Sequence, residues 1–510
     1  MDYLLHHLLL RSAQTAPDKI AVIDPEQTLT YSELTERAGY LVEVLRDLGV
    51  QPGDRVAFFW DHTVEQAICI LAISAVGGIF VPINRLLLAP QVMHILRDSG
   101  AKILITQQQR YQKLLASQNI RSVVSSVLFE EDITGKSTLV PAAQRIENDI
   151  AALLYTSGST GFPKGVMISH KNLLSGSSIV SDYLELTPDD HLLGVMQLSF
   201  DYGLNQLITM LDNGGTYSFL TYTLPNQMVT ALQEQEITGF AAIPTVWNSL
   251  LRSTLGSIEL PWLRFITNTG GSMPEMVTSF LRQALPQTKI YLMYGLTEAF
   301  RSTYLPPEDV DRKPASIGKP IPDTEIYVIN EDGTLCAPGE VGELVHRGPT
   351  VSLGYWNKPR ETARKFRPNP LSSHPGSDFE RVVYSGDLAK FDEEGYLYFA
   401  GRKDAMIKSH GVRISPNEVE NMILKTGLVR EVAAIGVPDQ YAEQVIKVFV
   451  VPMNTSDHTI LQAQLVEKCM QSAPDYMIPR YIEEIEAIPK TPHGKINYPQ
   501  LQNSQVSTTH

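Results

Sequence analysis

The sequence predicts an α/β protein. It predicts a large N-terminal domain of parallel-rich sheets covered by helices plus a small β-barrel or distorted antiparallel sheet, then a smaller α+β C-terminal domain. Three observations lead there. Short β-rich apolar runs alternate with helical patterns through the N-terminal part of the 510 residues, the rhythm of strands buried between helices. From about Ala315 closely spaced strands with turn signals replace that rhythm. The polar segment Gly401-Arg402-Lys403-Asp404-Ala405 then sets off a C-terminal region with its own pattern, so the expected domains are 1–403 and 404–510.

Arg55-Val-Ala-Phe-Phe reads as a strand, Thr63 to Ala75 as a helix, and Gly78-Ile-Phe-Val-Pro as the next strand. The stretch Ala67 to Ile83 is the most apolar, but Gly77, Gly78 and Pro82 interrupt it. It therefore reads as a buried helix running into a strand, and not as a membrane span of about twenty residues. Further strands are expected at Glu325 to Asn330 and Gly342 to Gly348, with the turn Glu331-Asp332-Gly333 between them, and a hairpin at Leu388 to Phe399. The C-terminal region has a βαβ-like rhythm: Glu418 to Leu424 helical, Val432 to Val437 and Lys447 to Val451 strands, Ile460 to Met470 helical. The tail beyond Leu501 is polar enough to fray.

Composition narrows the function. With 43% hydrophobic and 19% charged residues the chain is neither disordered nor a membrane channel. Its net charge of −14 disfavours nucleic acid and anionic lipid, and leaves small molecules or another protein as partners. Cys69, Cys336 and Cys469 share no metal-ligand spacing and read as thiols of a reducing cytoplasm. The start, Met1-Asp-Tyr-Leu-Leu-His-His, lacks the basic n-region of a signal peptide.

The most informative segment is Leu154-Tyr-Thr-Ser-Gly-Ser-Thr-Gly-Phe-Pro-Lys-Gly-Val-Met-Ile-Ser-His. Small hydroxyl and glycine residues in a row after an apolar strand form a loop that can wrap phosphate oxygens. Backbone N–H groups, Thr156, Ser157, Gly158, Ser159 and Thr160 would do so, with Lys164 adding positive charge. Lys164 follows a proline and precedes Gly165, so this is not the Walker spacing.

The segment resembles the signature of the AMP-forming adenylate synthetases, which include acyl-CoA synthetases, adenylation domains of nonribosomal peptide synthetases and luciferases. Four further blocks resemble family motifs in the family's order: Tyr294-Gly-Leu-Thr-Glu, Tyr384-Ser-Gly-Asp-Leu, the run from Gly401 to Glu420, and Pro489-Lys-Thr-Pro-His-Gly-Lys-Ile-Asn. The resemblance covers essentially the whole chain. It implies that ATP and a carboxylic acid combine to an acyl-adenylate and pyrophosphate, after which a thiol takes the acyl group. A carboxylate ionised at pH 7 needs no general base for this attack, only alignment and charge neutralisation.

On that resemblance Glu298 holds Mg2+, Thr297 contacts the α-phosphate, and Lys495 bridges the attacking carboxylate and the α-phosphate. Tyr294 lies against the adenine beside Gly295, and Gly270, Gly271 and Ser272 let the backbone approach it. Asp387 accepts the ribose hydroxyls, with Arg402 near ribose and phosphate. Asp404 is the hinge about which the C-terminal domain rotates between adenylating and thioester-forming states. The loop around Gly411, with Lys408 and Arg413, then meets a phosphopantetheine thiol of CoA or of a separate carrier protein.

The acyl pocket implied residue by residue comprises Asp201, Tyr202, Asn205, Ala241, Asn268, Met293, Arg301 and Ser302. Asp201, in Ser199-Phe-Asp-Tyr-Gly, matches the aspartate that faces the α-ammonium group in amino-acid-activating members. A carboxylate facing an apolar pocket is costly without a cationic partner, which favours an amino-acid substrate, with proline preferred on the layout of stand-alone loaders. Two other readings stay open: Asp201 as a helix N-cap, and Arg301 as its partner in an acyl-CoA synthetase for a short or polar acid.

Overall fold

The structure is a computed structural model that describes residues 2–116, 118–141, 144–156, 163–251, 253–271, 273–371, 380–403, 405–409, 412–439, 443–453, 458–472, 477–492 and 494–506. The chain forms two compact units, one of residues 1–326 and 346–383, the other of residues 327–345 and 384–510.

The larger unit contains two parallel-rich sheets. In the six-stranded sheet, Arg55–Phe59 lies between Ile79–Pro82 and Ile103–Thr106, parallel to both, and the antiparallel pair Ile150–Thr156 and Lys164–Ser169 closes one edge. In the nine-stranded sheet, His191–Gly194, Gly239–Ala242, Phe265–Asn268 and Lys289–Tyr294 run parallel side by side. Parallel strands of this kind are apolar on both faces because helices cover both. The helix Val64–Ala75 is buried along its length and runs into Ile79–Pro82, as the interrupted apolar stretch predicts. Among the described residues no helix is long and apolar enough to cross a membrane. All three cysteines are buried thiols. The antiparallel region follows the sequence expectation in its strands Glu325–Ile329 and Gly342–Arg347 and in the hairpin of Asp387 to Phe391 with Leu397–Arg402; Phe366–Pro368, which the sequence did not mark, pairs with the start of Arg381–Phe391.

In the smaller unit, the two strands expected from sequence are longer than the apolar cores that mark them. Val429–Asp439 and Glu443–Pro452 pair directly and antiparallel. A βαβ crossover follows, completed by a strand the sequence did not mark: Glu443–Pro452, helix His458–Ser472, then the parallel strand Tyr481–Glu484. Side chains alternate across this sheet with period two. Val432, Ala434, Val448 and Val450 pack towards Val419, Ile423, Leu461 and Leu465, while Ala433, Ile435, Phe449 and Val451 pack with Ile488 and Leu501. The residues just beyond Leu501 are not a frayed tail: the helix Tyr498–Val506 continues through them, and Leu501 is buried on it because the second sheet face needs an apolar cover.

The same helix explains a buried carboxyl. Glu420, on the helix Pro416–Leu424, accepts from the Ala434 N–H at 2.9 Å and from the Tyr498 hydroxyl at 2.7 Å. Burial pushes its pKa up to about 7, against the pull of those two donors. The unfolded chain releases this proton near 4.5, so between that pH and about 7 the folded chain binds more protons and stability falls as pH rises. The loss is about 3 kcal/mol over that window, constant above it. Urea midpoints at pH 5 and pH 7.5 should fall accordingly in the wild type and much less in Glu420→Gln; an equal fall in both would refute the assignment.

Candidate active site

In parallel sheets ligands bind beyond the carboxyl ends of the strands, where loops leave the sheet and backbone groups are unpaired. Four neighbouring strands of the larger unit end in predicted site residues or lead directly to them. His191–Gly194 leads to the helix Asp201–Asn213, Gly239–Ala242 carries Ala241, Phe265–Asn268 ends at Asn268 before Gly270 and Gly271, and Lys289–Tyr294 ends at Tyr294 before Gly295. Gly270 sits at φ +79°, a left-handed turn that glycine adopts without strain. A Cβ on Gly271 would press on Pro244 Cγ at 3.2 Å, so the close approach of the two loops favours glycine.

The turn Thr297–Ala299 places Thr297 and Glu298 above these ends. The Thr297 hydroxyl donates to Asp201 Oδ1 at 3.3 Å. Tyr355 donates to the Glu298 carboxylate. Lys164 Nζ lies 5.8 Å from the centre of the same Tyr355 ring, so this one tyrosine brings Lys164 and Glu298 together. Tyr355 arrives because residues 353–356 run along the edge strand Lys164–Ser169: Leu353 N–H donates to Met167, Met167 N–H to Gly354 and Trp356 N–H to Gly165. Thr156 and Lys164 are directly paired, so they frame the two ends of the predicted phosphate loop. Ser157, Gly158, Ser159, Thr160 and Ser272 lie outside the described residues.

His346 is a feature the sequence did not mark. Its ring stacks on Tyr294 with centroids 6.0 Å apart and 22° between planes. It is 1% exposed, neither nitrogen has a partner among the described residues, and burial lowers its pKa to about 3, which keeps it neutral.

Beside the turn lies a small, partly open pocket. Five predicted residues line it: Tyr202, Asn205, Ala241, Met293 and Arg301. Asp201, Asn268 and Ser302 are buried but not in its wall. Val180, Leu184, Leu186 and Leu192 give it an apolar side, and Gln206 and Thr209 complete the face of the helix begun by Tyr202. The i, i+3, i+4, i+7 spacing of Tyr202, Asn205, Gln206 and Thr209 is one helix face, a signal in the sequence that reaches beyond the family motif.

The two open readings of Asp201 now separate. The N-cap of the helix is Phe200, and Asp201 is its first helical residue. Its Oδ2 lies 3.4 Å from Arg301 Nη1, with the two side chains 6% and 5% exposed. Arg301 also donates to the Phe300 carbonyl at 2.8 Å and lies over the Tyr202 ring, 5.2 Å from its centre. Asp201 thus has a cationic partner in the protein itself. Two of its contacts, the Thr297 hydroxyl at 3.3 Å and Arg301 Nη1 at 3.4 Å, are longer than close charge-assisted bonds.

In the smaller unit, Asp387 and Arg402 face each other across the hairpin, with Arg402 Nη1 donating to Asp387 Oδ1 at 2.8 Å; the aspartate side chain is 8% exposed and the arginine 47%. Lys495 is exposed on a turn whose ends are tied by Thr491 N–H donating to the Lys495 carbonyl at 2.7 Å. Asp404, Gly411 and the side chains of Lys408 and Arg413 lie outside the described residues. Among the described residues no cluster of three or more His, Cys, Asp or Glu side chains is placed to hold a metal. A single carboxylate such as Glu298 fits Mg2+ brought in on phosphates, which takes only one or two protein carboxylates.

A family profile described as AMP-binding enzyme matches residues 9–356, and one described as AMP-binding enzyme C-terminal domain matches residues 418–495. The chain belongs to the AMP-binding enzyme family. ATP-dependent adenylation of an acid is the family's chemistry. It is 30% identical over 98% of its length to Gramicidin S synthase 2 of Brevibacillus brevis, of which it spans 11%. The anthranilate CoA ligase AuaEII, solved with anthranoyl-AMP, has a TM-score of 0.90 at 26% identity, covering 98% of this chain and 97% of that one. ATP-bound MatB from Rhodopseudomonas palustris has a TM-score of 0.88 at 26% identity, covering 99% of each. The α/β class, the large parallel-rich body and the smaller C-terminal domain are those of these solved AMP-binding enzymes.

Proposed function

We propose that this chain activates an amino acid as its aminoacyl-adenylate, releasing pyrophosphate, and transfers the aminoacyl group to a phosphopantetheine thiol of a carrier protein. The observation that carries this reading is Asp201. It is a carboxylate only 4% exposed, at the start of the helix whose face lines an apolar-walled pocket, and it is joined through Thr297 to the turn that bears Glu298. An ammonium group would add a charge-assisted hydrogen bond to this buried anion, where the gain is largest.

The attacking carboxylate is held for in-line displacement at the α-phosphorus, with no proton to remove. Lys495 and Thr297 neutralise the charge that gathers on the α-phosphate oxygens, and Lys164 that on the departing pyrophosphate. Bound Mg2+ would supply charge neutralisation on the phosphates, held through Glu298, whose carboxylate Tyr355 orients. Tyr294, backed by the neutral His346, offers a flat face for adenine. The buried Asn268 Oδ1, which has no partner among the described residues, offers an acceptor for an amino group. Asp387 accepts the ribose hydroxyls. The C-terminal domain, 404–510, swings about Asp404 between the two half-reactions. The three thiols suit a reducing cytoplasm.

A second reading has its own observation: Arg301 stands 3.4 Å from Asp201 and lines the pocket. The pair is then internally neutral, and the substrate is a short or polar acid transferred to CoA. Substrate-dependent ATP–pyrophosphate exchange with Mg2+, over amino acids including proline and D-alanine and over short, fatty and aryl acids, separates the two. Exchange with one or two amino acids is expected; exchange confined to acids without an amine would overturn the amino-acid reading and leave CoA as the acceptor to test.

A further inference from the structure

The polar groups lining the pocket are not equally committed. The Tyr202 hydroxyl donates to the Thr267 carbonyl at 3.0 Å. The Thr209 hydroxyl is turned back on its own helix, to the carbonyls of Asn205 at 2.8 Å and Gln206 at 3.0 Å. Arg301 is engaged with Asp201 and Phe300. Gln206 differs: it is 4% exposed, and neither Nε2 nor Oε1 has a partner among the described residues. Its helix neighbour Asn205, 2% exposed, likewise keeps Nδ2 unpartnered.

A buried amide left without partners costs about 1–3 kcal/mol for each unmatched group, so natural cores rarely keep one in a pocket wall without a use. We infer that Gln206 reads the distal end of the acid substrate, and that this end is an uncharged hydrogen-bonding group that both donates and accepts, of the carboxamide or hydroxyl class. An amide satisfies Nε2 with its carbonyl and Oε1 with its N–H, while the aliphatic wall packs against the methylene stem. The charged alternatives fit less well, because the cation lining the pocket already faces Asp201. Proline presents no such distal group and would leave Gln206 as it stands.

This inference rests on the adenylating reading but not on the amine. A site built to hydrogen-bond its substrate rejects the near-isostere that lacks the group far more strongly than an apolar pocket rejects an extra methyl. The test is ATP–pyrophosphate exchange by the full chain with Mg2+ on near-isosteric pairs: asparagine against leucine, threonine against valine, and the desamino pair succinamate against 4-methylpentanoate. The polar member of a pair is expected to exceed the apolar one by about 100-fold in kcat/KM. In Gln206→Met, which keeps the volume, that ratio should collapse to within about tenfold. Equal or better use of the apolar member by the wild type would overturn the inference, and would mean that Gln206 is satisfied by ordered water. The wild-type ratio decides even if the variant fails to fold. Exchange with the desamino pair alone would remove the amino-acid reading, yet its polar-to-apolar ratio would still decide the role of Gln206.

Discussion

Lys495→Ala should lower acyl-adenylate formation by about 10²–10³-fold while leaving transfer from a supplied acyl-adenylate to the thiol within a few-fold of wild type. Adenylation brings a carboxylate onto an already anionic phosphate, so a point cation at the reacting atoms acts on the step where charges of one sign converge. The local fold suits such a role. Gly494, at φ +78°, and the bonds between Thr491 and Lys495 form a tight turn, closed below by the bridge of Lys490 to Ile496. The turn is held at its base by the Lys490–Glu431 pair, 2.9 Å, and by the Tyr498 hydroxyl on Glu420 in the next element. The ammonium group therefore stands on a supported loop and not on a loose tail. Pyrophosphate exchange reads the first half-reaction, and thioester formation from synthetic acyl-adenylate reads the second. Equal loss in both would refute the proposed swing of the C-terminal domain about Asp404, because a lysine needed in both steps cannot be one that leaves between them.

Asp201→Ala should have two separable effects. Removing one partner of a buried pair strands Arg301, 5% exposed, as an uncompensated charge, a change that costs about 3–5 kcal/mol where nothing replaces the partner. A lower thermal midpoint is the expected result. If Asp201 also receives the substrate ammonium group, KM for the amino acid should rise by about 10–100-fold relative to its desamino analogue. The double variant Asp201→Ala with Arg301→Met removes the stranded charge, so it should recover most of the stability and none of the selectivity for the amine. Should the single variant weaken amino and desamino acids alike, Asp201 would serve Arg301 alone, and the polar-acid, CoA-dependent reading would take the place of the carrier-protein one.

Chemistry that is local in sequence was legible in sequence. The segment predicted to wrap phosphate joins two strands that pair residue by residue, Thr156 with Lys164, so its ends are fixed by near neighbours. The turn bearing Thr297 and Glu298, and the hairpin that sets Asp387 against Arg402, are likewise made by neighbours. The alternation of apolar runs gave the parallel body for the same reason: period and burial are properties of a few successive residues. It also had the C-terminal helix, two strands and helix in order, but not their pairing, because an apolar strand core does not say whether its next partner is reached by a tight turn or by a helix.

Only the tertiary structure decided what surrounds those motifs. Tyr355 orients Glu298 from 57 positions away, through pairing along a strand edge that no local pattern marks. His346 reaches Tyr294 from another strand, and its burial, not its identity, makes it neutral. Asp201 illustrates the division most clearly. Its sequence context allowed an N-cap, an ammonium anchor or an ion pair; the helix start at Phe200 removed the first, and Arg301, 100 positions on, supplied the third. Hydrogen-bonded turns and side-chain periodicity act over a few residues and are written in the chain. Which buried charge meets which, and which amide is left unmatched in a pocket, depends on how whole sheets and helices pack, because the cost of burying a polar group is set by its neighbours in space.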